Sequence, residues 1–357
     1  MDNLLFVCNQ EFLLPWTEAF SEEMLEKCVK IGEGVFGEVF RTVTAKDESV
    51  ALKIIPIEGN DLVNEEKQKT FEEILPEILI AKEMSHLADP SHENCAPNFV
   101  PVLDVKIVQG RYPQCLLEAW SEYDQKRRSD NDDPVMFGCE QLFVIFVFGD
   151  GGCDIESFQF GSVEESLSVV FQVVMALSAA EREVEFEHRD LHIGNVLLKR
   201  TDAPFVSYKL LGNLDLKART NGIQVYIIDF TLSRLKREGC TIFTDLARDQ
   251  ALFEGPDNEY QFEVYRKMKE ANSNEWKSFN AVSNIYWVHY LVKKLIEQVR
   301  YSGRKLRKKE GALLRQFEQE LLQYDSCWSL LGGSSPSRSF DQIFGELEGE
   351  LLEANAL

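Results

Sequence analysis

The chain has 357 residues, of which 44% are hydrophobic and 27% charged, and its formal net charge is −22. This composition is typical of a soluble globular protein with two lobes or domains. The excess of carboxylates repels nucleic acid backbones and favours a basic partner. The apolar runs fall short of the roughly 20 residues that span a bilayer, and the eight cysteines form no C-x-x-C pair. We expect a monomer from a reduced cytosolic or nuclear compartment that binds neither membrane nor nucleic acid.

The predicted elements of the first third are mainly strands. Residues 1–25 are acidic and apolar by turns, which predicts a strap that packs on a surface. Ile31 to Phe40 predicts two strands around a glycine turn, and Ser49 to Ile55 predicts a further strand. Apolar residues at helical spacing predict a helix over 70–87, in which Pro76 lies either in the first turn or at a kink.

Helical patterns dominate later in the chain. Residues 123–134 are charged and polar, which predicts a mobile insertion. Leu142 to Phe148 predicts a buried strand, and Gly149 to Gly152 breaks it at the best candidate for a hinge between two lobes. A strong helical pattern covers residues 163–184. Further helices are predicted over 262–271, 281–300 and 309–324.

Residues 32–39, Gly-Glu-Gly-Val-Phe-Gly-Glu-Val, fit the pattern G-x-G-x-x-G-x-V. Glycines allow backbone N–H groups to approach phosphate oxygens without a Cβ in the way. Dinucleotide-binding folds share part of this pattern, but a helix follows there, whereas β-prone residues follow here, which favours a hairpin over phosphates. A purely structural glycine hairpin is the alternative. The candidate nucleotide contacts in this segment are Gly32, Glu33, Gly34, Val35, Gly37 and Val39.

Lys53 ends the run Val-Ala-Leu-Lys, which is close to the V-A-I-K strand of kinases. A lysine inside an apolar strand is costly unless it is paired, and a phosphate and a helix carboxylate would satisfy it. Ala51, two residues earlier, is a further candidate contact for the nucleotide. Spacing alone leaves the partner of Lys53 open among the glutamates of the next helix, which are Glu72, Glu73, Glu77 and Glu83.

Residues 188–195, His-Arg-Asp-Leu-His-Ile-Gly-Asn, fit the kinase pattern H-R-D-L-x-x-x-N. In that pattern Asp190 accepts the proton of the substrate hydroxyl. Asn195 would hold one magnesium ion, and Asp229, which follows an apolar strand, would hold another, since magnesium prefers oxygen ligands. The glycine segment, Lys53 and these residues occur together in the expected order, which is highly specific for an ATP- and magnesium-dependent kinase.

The chain departs from the usual kinase pattern at three points. His192 stands where a lysine often follows the catalytic Asp, and Thr231 replaces the Gly of D-F-G. A β-branched residue disfavours positive φ and stiffens the backbone, which argues against a loop that flips between two forms. No A-P-E follows Asp229, and the first proline beyond it is Pro256. We therefore expect a remodelled activation segment.

With these departures, the chain resembles the haspin family of atypical nuclear protein kinases over nearly its whole length. The segments that carry the resemblance are 31–40, 57–64, 70–78, 186–192, 229–235 and 260–262. The resemblance implies an α+β, bilobal protein-kinase-like fold with a small β-rich N-lobe and a larger helical C-lobe. Residues 1–148 would form the N-terminal extension and N-lobe, and residues 149–357 the hinge and C-lobe of one catalytic domain. The activation segment would need no activating phosphorylation.

The resemblance also implies a function and further site residues. The reaction would be phosphorylation of a threonine near the amino terminus of histone three by a nuclear enzyme associated with mitotic chromosomes. Glu77 would pair with Lys53, and Phe148 would be the gatekeeper of the ATP pocket. The hinge residues would be Gly149, Asp150 and Gly151. The residues that would contact the basic histone tail are Asp154, Glu156, His192 and Asp249; at Ala251 some family members carry another acidic residue.

Two other readings of the same residues predict different proteins. A small-molecule kinase of the aminoglycoside or choline type would share H-x-D-x-x-x-x-N and lack A-P-E, but Arg189 and the complete glycine segment count against it. A catalytically inactive scaffold that binds basic tails is the other alternative. Such scaffolds usually lose the lysine, the catalytic Asp or the metal-binding Asp, whereas Lys53, Asp190 and Asp229 are all present.

Overall fold

The computed structural model describes residues 1–332 with the exception of 257, 302, 305 and 307–310. The chain divides into two compact units, Met1–Leu79 with Pro101–Asp150 and Ile80–Val100 with Gly151–Leu357. The prediction divided the chain once, between residues 148 and 149, whereas here residues 149–150 belong to the first unit and residues 80–100 to the second. There Val100 N donates to Ile227 O at 3.1 Å, and the Phe99 ring lies 5.7 Å from the Phe186 ring.

The first unit is built mainly from strands. Its strands are β1 (Leu14–Pro15), β2 (Val29–Gly34), β3 (Gly37–Val43), β4 (Ser49–Ile57), β5 (Leu62–Val63), β6 (Glu66–Lys67), β7 (Val102–Gln109) and β8 (Leu142–Gly149). Its helices are α1 (Asp2–Val7), α2 (Trp16–Ala19), α3 (Glu22–Glu26) and α5 (Gln114–Arg127), and α4 (Phe71–His86) passes from this unit into the next. Six strands form one sheet in the order β1-β7-β8-β4-β3-β2.

One face of this sheet carries the core of the first unit. Side chains at alternate positions, such as Phe40, Leu52 and Ile145, are almost fully buried. Trp16 and Phe20 of the N-terminal segment pack into the same cluster, so the predicted strap is confirmed. Phe6 and Phe12 of the same segment are exposed. The opposite face includes Val39, Ala51 and Lys53, which are only partly buried.

The structure decides one prediction in the first unit and corrects another. Helix α4 begins at Phe71, so of the two positions left open for Pro76 the first turn is excluded and the proline lies inside the helix. The insertion predicted over residues 123–134 is not a loop throughout, because α5 continues to Arg127 and the next residues are hydrogen-bonded to the glycine hairpin. The sequence of α5 does not indicate a helix clearly, because most of its residues are polar. Its buried residues are Leu116 and Trp120.

The second unit contains the remaining elements. Its strands are β9 (Cys153–Asp154), β10 (Val196–Arg200), β11 (Phe205–Leu210), β12 (Leu214–Arg219), β13 (Ile223–Ile227), β14 (Arg234–Arg237) and β15 (Cys240–Phe243). Its helices are α6 (Val163–Val184), α7 (Tyr260–Ala271), α8 (Val282–Glu297), α9 (Ala312–Leu321) and α10 (Cys327–Gly332). Helix α6 has the predicted bounds, and α7 and α8 lie within about three residues of theirs. The first residues of the last predicted helix, 309 and 310, lie outside the described residues.

Helix α6 is the central helix of the second unit. By length and composition it could cross a membrane, but 78% of its apolar stretch is buried inside the protein. Its N-cap is Ser162, whose side chain accepts from Glu165 N, and Glu185 ends it in the left-handed conformation. The Phe186–Asn195 segment, which carries the predicted catalytic loop, starts directly after this end.

The pairing of β10 with β13 positions the residues that follow and precede these strands. The two strands are antiparallel, with Val196 opposite Ile227. Asn195, just before β10, and Ile228, just after β13, therefore lie at the same end of the ladder, where Ile228 N donates to Asn195 O at 3.0 Å. This register brings the neighbourhood of Asp229 to the catalytic loop.

Candidate active site

The glycine hairpin connects β2 to β3, with Gly34 opposite Gly37. A Cβ at Gly37 would lie 2.0 Å from Ile54 O, so the approach of β4 requires glycine there. At Gly32 and Gly34 a Cβ would meet nothing within 4 Å among the described residues. The side of the hairpin at these two glycines is therefore open enough for phosphate oxygens to approach the backbone.

Lys53 is paired in the first unit by a buried carboxylate. Its Nζ lies 2.8 Å from Glu77 Oε1, and Lys69 Nζ lies 2.8 Å from Glu77 Oε2. Of the four glutamates that the spacing left open, it is Glu77 that contacts Lys53. Glu77 is 4% exposed and Lys53 is 21% exposed at the side chain, so the ammonium group is anchored while part of it is still accessible.

The strand register places the other predicted nucleotide contacts near Lys53. Lys53 lies opposite Val39 on β3, and Ala51 lies opposite Phe148 on β8. The Phe148 ring stacks on Phe146 at 5.3 Å. Gly149 N donates to Pro101 O at 2.9 Å at the end of β8. The gatekeeper and hinge roles of Phe148, Gly149, Asp150 and Gly151 stay predictions.

The catalytic loop of the second unit is fixed by buried polar side chains. Arg189 has a fully buried side chain and a positive φ of 67°. Its guanidinium donates to both oxygens of Glu187 at 3.2 Å, to Trp276 O at 2.7 Å and to Thr244 O at 3.4 Å. Since the protein itself satisfies this cation, Arg189 needs no phosphorylated residue as a partner.

His188 supports the same loop through contacts of its ring and its backbone. Burial lowers the pKa of His188 to about 4, so its ring is neutral at physiological pH. The ring contacts Ile228 O through Nε2 at 3.0 Å and accepts from Asp190 N through Nδ1 at 3.3 Å. The backbone N–H of His188 donates to Asn284 Oδ1 at 3.1 Å. These contacts fix the backbone on which the predicted base is carried.

Asp190 is held by a tyrosine that sequence analysis did not identify. Tyr265 on α7 is 2% exposed, and its hydroxyl donates to Asp190 Oδ1 at 2.5 Å. The pKa of Asp190 is raised to about 8, mainly by burial; the Tyr265 hydrogen bond lowers it, and the charge of Asp229 contributes to the rise. No local pattern could have revealed this contact, because 75 residues separate its two members.

His192 lies on the other side of Asp190. Its Nδ1 accepts from Gly194 N at 3.0 Å, and its Nε2 lies 3.9 Å from Asp190 Oδ2. Burial lowers the pKa of His192, which favours the neutral ring. With Oδ1 engaged by Tyr265, the oxygen of Asp190 that can accept a proton from a substrate is Oδ2.

Asn195 and Asp229, the two predicted magnesium ligands, belong to the same site as this carboxylate. Asn195 Nδ2 donates to Asp190 O at 2.8 Å, which orients the amide so that its oxygen is the ligand atom. Asp229 has a positive φ of 63°, and one of its oxygens accepts from Thr231 N at 3.1 Å. Thr231 is itself held, since its carbonyl accepts from Thr244 Oγ1 at 2.7 Å. Positive φ at two non-glycine residues of one site is a costly arrangement that the surrounding contacts must maintain.

The predicted tail-binding acids also belong to the second unit. Asp154 is partly buried, and its carboxylate accepts from Ser157 N at 2.7 Å. Glu156 and Asp249 are exposed, and Asp249 accepts from Ala251 N at 3.1 Å. Asp154 lies opposite Leu197, and Ile155 N donates to Ile193 O at 3.3 Å, so Asp154 is adjacent to the predicted catalytic loop. The tail-binding role of these residues stays a prediction.

A glycine hairpin, a paired strand lysine and a catalytic loop with Asp190, Asn195 and Asp229 define a protein-kinase-like domain. The chain matches the family model for the haspin like kinase domain over residues 1–325. The chain therefore belongs to the haspin-like kinase family, as the sequence predicted, and its fold is the α+β bilobal kinase fold.

Named relatives agree with this assignment. The chain is 45% identical over 332 residues to the serine/threonine-protein kinase haspin of Bos taurus, covering 91% of this chain and 42% of that protein. It is 44% identical over 329 residues to the protein of the same name of Mus musculus, covering 91% and 43%. The serine/threonine-protein kinase haspin homolog of Drosophila melanogaster is 39% identical over 308 residues, covering 85% and 54%. The chain thus spans less than half the length of the two mammalian relatives.

Proposed function

We propose that the protein is an ATP- and magnesium-dependent serine/threonine protein kinase. Its substrate in this proposal is a threonine near the amino terminus of histone three, on mitotic chromosomes in the nucleus. The observation that carries the proposal is the Asp190 carboxylate, which Tyr265 holds next to the oxygen ligands Asn195 and Asp229. An inactive scaffold would have no need to hold this carboxylate beside two further oxygen ligands.

The residues of the chain fit ATP and magnesium. The open side of Gly32 and Gly34 leaves room for phosphate oxygens, and Lys53 supplies an anchored cation. Asn195 and Asp229 would hold magnesium, which when bound neutralises charge on the phosphate oxygens. Among the described residues, no group of three or more His, Cys, Asp or Glu could hold a metal unaided. This fits an ion that takes some of its ligands from phosphates.

Asp190 is the general base of the proposed reaction. Its Oδ2 accepts the hydrogen bond of the threonine hydroxyl and takes the proton as the hydroxyl oxygen bonds to the γ-phosphorus. The bond between that phosphorus and the bridging oxygen breaks, and ADP leaves with the electron pair. Tyr265 holds Oδ1 and favours the ionised carboxylate. His188 and Arg189 fix the backbone that carries Asp190.

The charge of the chain supports a basic peptide as the acceptor. The net charge is −22, and Glu156 and Asp249 are exposed on the second unit. One exposed ion pair contributes only about 0–1 kcal/mol. Several acids together would therefore act mainly by steering a lysine- and arginine-rich tail and fixing its register.

A phosphotransfer assay with different acceptors tests the proposal. The acceptors are an amino-terminal peptide of histone three, the same peptide with its threonines replaced by alanine, and the small alcohols choline and kanamycin. We expect transfer from ATP to the first peptide only. Transfer confined to a small alcohol would favour the small-molecule kinase. Peptide binding without transfer to any acceptor would favour the inactive scaffold.

A further inference from the structure

Polar side chains from outside the sheet hold the glycine hairpin of the first unit. They come from the segment after α5 and from the β5–β6 hairpin, and neither takes part in the mechanism proposed above. We call Asn64, Ser129, Asn131 and Asp132 the glycine latch. All four belong to the first unit, as does the hairpin that they contact.

Asn131 contacts both strands of the glycine hairpin. Its Nδ2 lies 3.1 Å from Gly34 O at the end of β2, 3.4 Å from Gly37 O at the start of β3, and 3.0 Å from Glu38 Oε1. The two hydrogens of the amide are therefore shared among three acceptors. A single side chain thus bridges the two strands at the point where the turn joins them.

Ser129 and the backbone after it contact the hairpin at Glu33. Ser129 Oγ donates to Glu33 Oε2 at 2.5 Å, and Asp130 N donates to Glu33 Oε1 at 2.9 Å. Lys30, whose side chain is fully buried, lies 2.6 Å from Glu33 and 2.5 Å from Glu38. Both glutamates of the glycine segment are thus anchored, one on each strand.

Asn64 contacts the tip of the hairpin. Its Nδ2 donates to Val35 O at 2.9 Å. Asn64 and Asp132 also bond reciprocally, with Asn64 N donating to Asp132 Oδ2 at 2.8 Å and Asp132 N to Asn64 Oδ1 at 2.7 Å. At the same tip the Lys69 ammonium lies 4.4 Å from the Phe36 ring. The β5–β6 hairpin and the segment after α5 are therefore joined to each other as well as to the glycine turn.

We propose that Asn131 and Asn64 are positioning residues, which hold the glycine hairpin in the shape that binds nucleotide phosphates. A turn with three glycines loses more conformational entropy on ordering than other turns. The glycine latch orders the turn before the nucleotide binds, so the loss of conformational entropy does not weaken nucleotide binding. The proposal deepens the proposed kinase function and rests on it for the nucleotide.

The test compares Asn131→Ala and Asn64→Ala with Asp130→Ala in the full chain. Asp130 is the matched control, because it is exposed and its contact to Glu33 uses the backbone N–H, which alanine keeps. Hydrogen exchange of residues 32–38 is measured without nucleotide, and the KM for ATP and kcat are measured with the histone three peptide. We expect faster exchange and a KM for ATP raised about 3- to 10-fold in both asparagine variants, with kcat within about twofold of the parent. Asp130→Ala should match the parent in all three.

Unchanged exchange and unchanged KM in folded Asn131→Ala and Asn64→Ala would overturn the proposal. If Asn131→Ala does not fold, Asn64→Ala alone decides, since it removes the contact to Val35 from the β5–β6 hairpin. The exchange measurement needs no turnover. If the parent protein transfers no phosphate but the variants exchange faster, the kinase function is rejected. The conclusion that Asn131 and Asn64 order the hairpin is then kept.

Discussion

The predicted catalytic loop of the second unit and the turn of the glycine hairpin in the first unit are held in different ways. Arg189 has a fully buried guanidinium that bonds to Glu187 and to two backbone carbonyls. The strands of the glycine hairpin also contain a buried cation, Lys30, but the turn itself is held by Asn131 and Asn64, which are both partly exposed. Breaking a buried ion pair costs about 3–5 kcal/mol, whereas an ordinary hydrogen bond contributes about 0.5–1.5 kcal/mol. The predicted catalytic loop thus depends on a buried network, whereas the glycine turn depends on hydrogen bonds that cost less to break.

The largest expected effect comes from removing the buried cation. Arg189→Met leaves the Glu187 carboxylate buried without its main partner, so we expect the free energy of unfolding to fall by about 3–5 kcal/mol. Chemical denaturation measures this loss. The control is Arg248→Met, because Arg248 is 86% exposed and pairs with Asp245 at the surface. Equal losses in the two variants would contradict the view that the catalytic loop depends on a buried network.

The next effect is a pH dependence of stability that comes from Glu181. This residue supports the catalytic loop through Asn284, which bonds to Glu181 Oε1, to Phe186 O and to His188 N. Burial raises the pKa of Glu181 from 4.5 to about 7. The folded state therefore favours the protonated acid, and this stability is fully present below pH 4.5 and lost as the pH rises to about 7.

The change between these pH values is on the order of 3 kcal/mol. Glu181→Gln cannot ionise, so the difference in unfolding free energy between parent and variant should change over this pH range and level off above it. Denaturation curves at several pH values measure it. A constant difference from pH 4 to pH 8 would show that Glu181 is not responsible.

A smaller effect is expected on catalysis from Tyr265→Phe. The variant removes a donor to Asp190, and since that hydrogen bond lowers the pKa of Asp190, its loss raises the pKa. The base must be ionised to act, so the acidic limb of the kcat/KM profile should move to higher pH. At neutral pH we expect kcat/KM to fall roughly tenfold. An unshifted acidic limb would mean that Tyr265 acts only as a packing residue.

The smallest effect is expected from Asp249→Ala. The variant removes one exposed carboxylate from the proposed tail-binding region, so the KM for the histone three peptide should rise about two- to fivefold. The KM for ATP should not change. The control is Asp202→Ala, because Asp202 is also exposed and its loss changes the net charge equally. The same rise in the peptide KM in both variants would indicate an effect of net charge and not of a specific contact with Asp249.

The sequence predicted those parts of the site that depend on local pattern. Residues 188–195 and Asp229 are recognisable because the chemistry fixes their residue types and spacing, and Lys53 because an apolar strand makes a lysine conspicuous. Helix α6 was predicted with its bounds because its caps and apolar period agree. The choice of Glu77 for Lys53 could not come from spacing, since four glutamates fitted, and required the family resemblance.

Contacts between distant segments could not be predicted. Tyr265 is separated from Asp190 by 75 residues, and Asn131 is separated from Gly34 by 97. A tyrosine on a helix and an asparagine in a polar segment have no distinguishing local pattern. For the same reason residues 123–134 were predicted to be mobile, because a polar composition does not show which polar groups are bonded. The β11–β12 hairpin, with Phe205 opposite Arg219, was not predicted either.

Phosphotransfer by Asp190→Ala is the decisive test of the assignment of Asp190 as the base. The parent and the variant receive ATP, magnesium and the histone three peptide, and ATP binding by both serves as the control for folding. With the base removed, we expect the rate of transfer to fall by about 10²- to 10⁴-fold while ATP binding persists. A variant that binds ATP and transfers phosphate at the parent rate would contradict the assignment of Asp190 as the base.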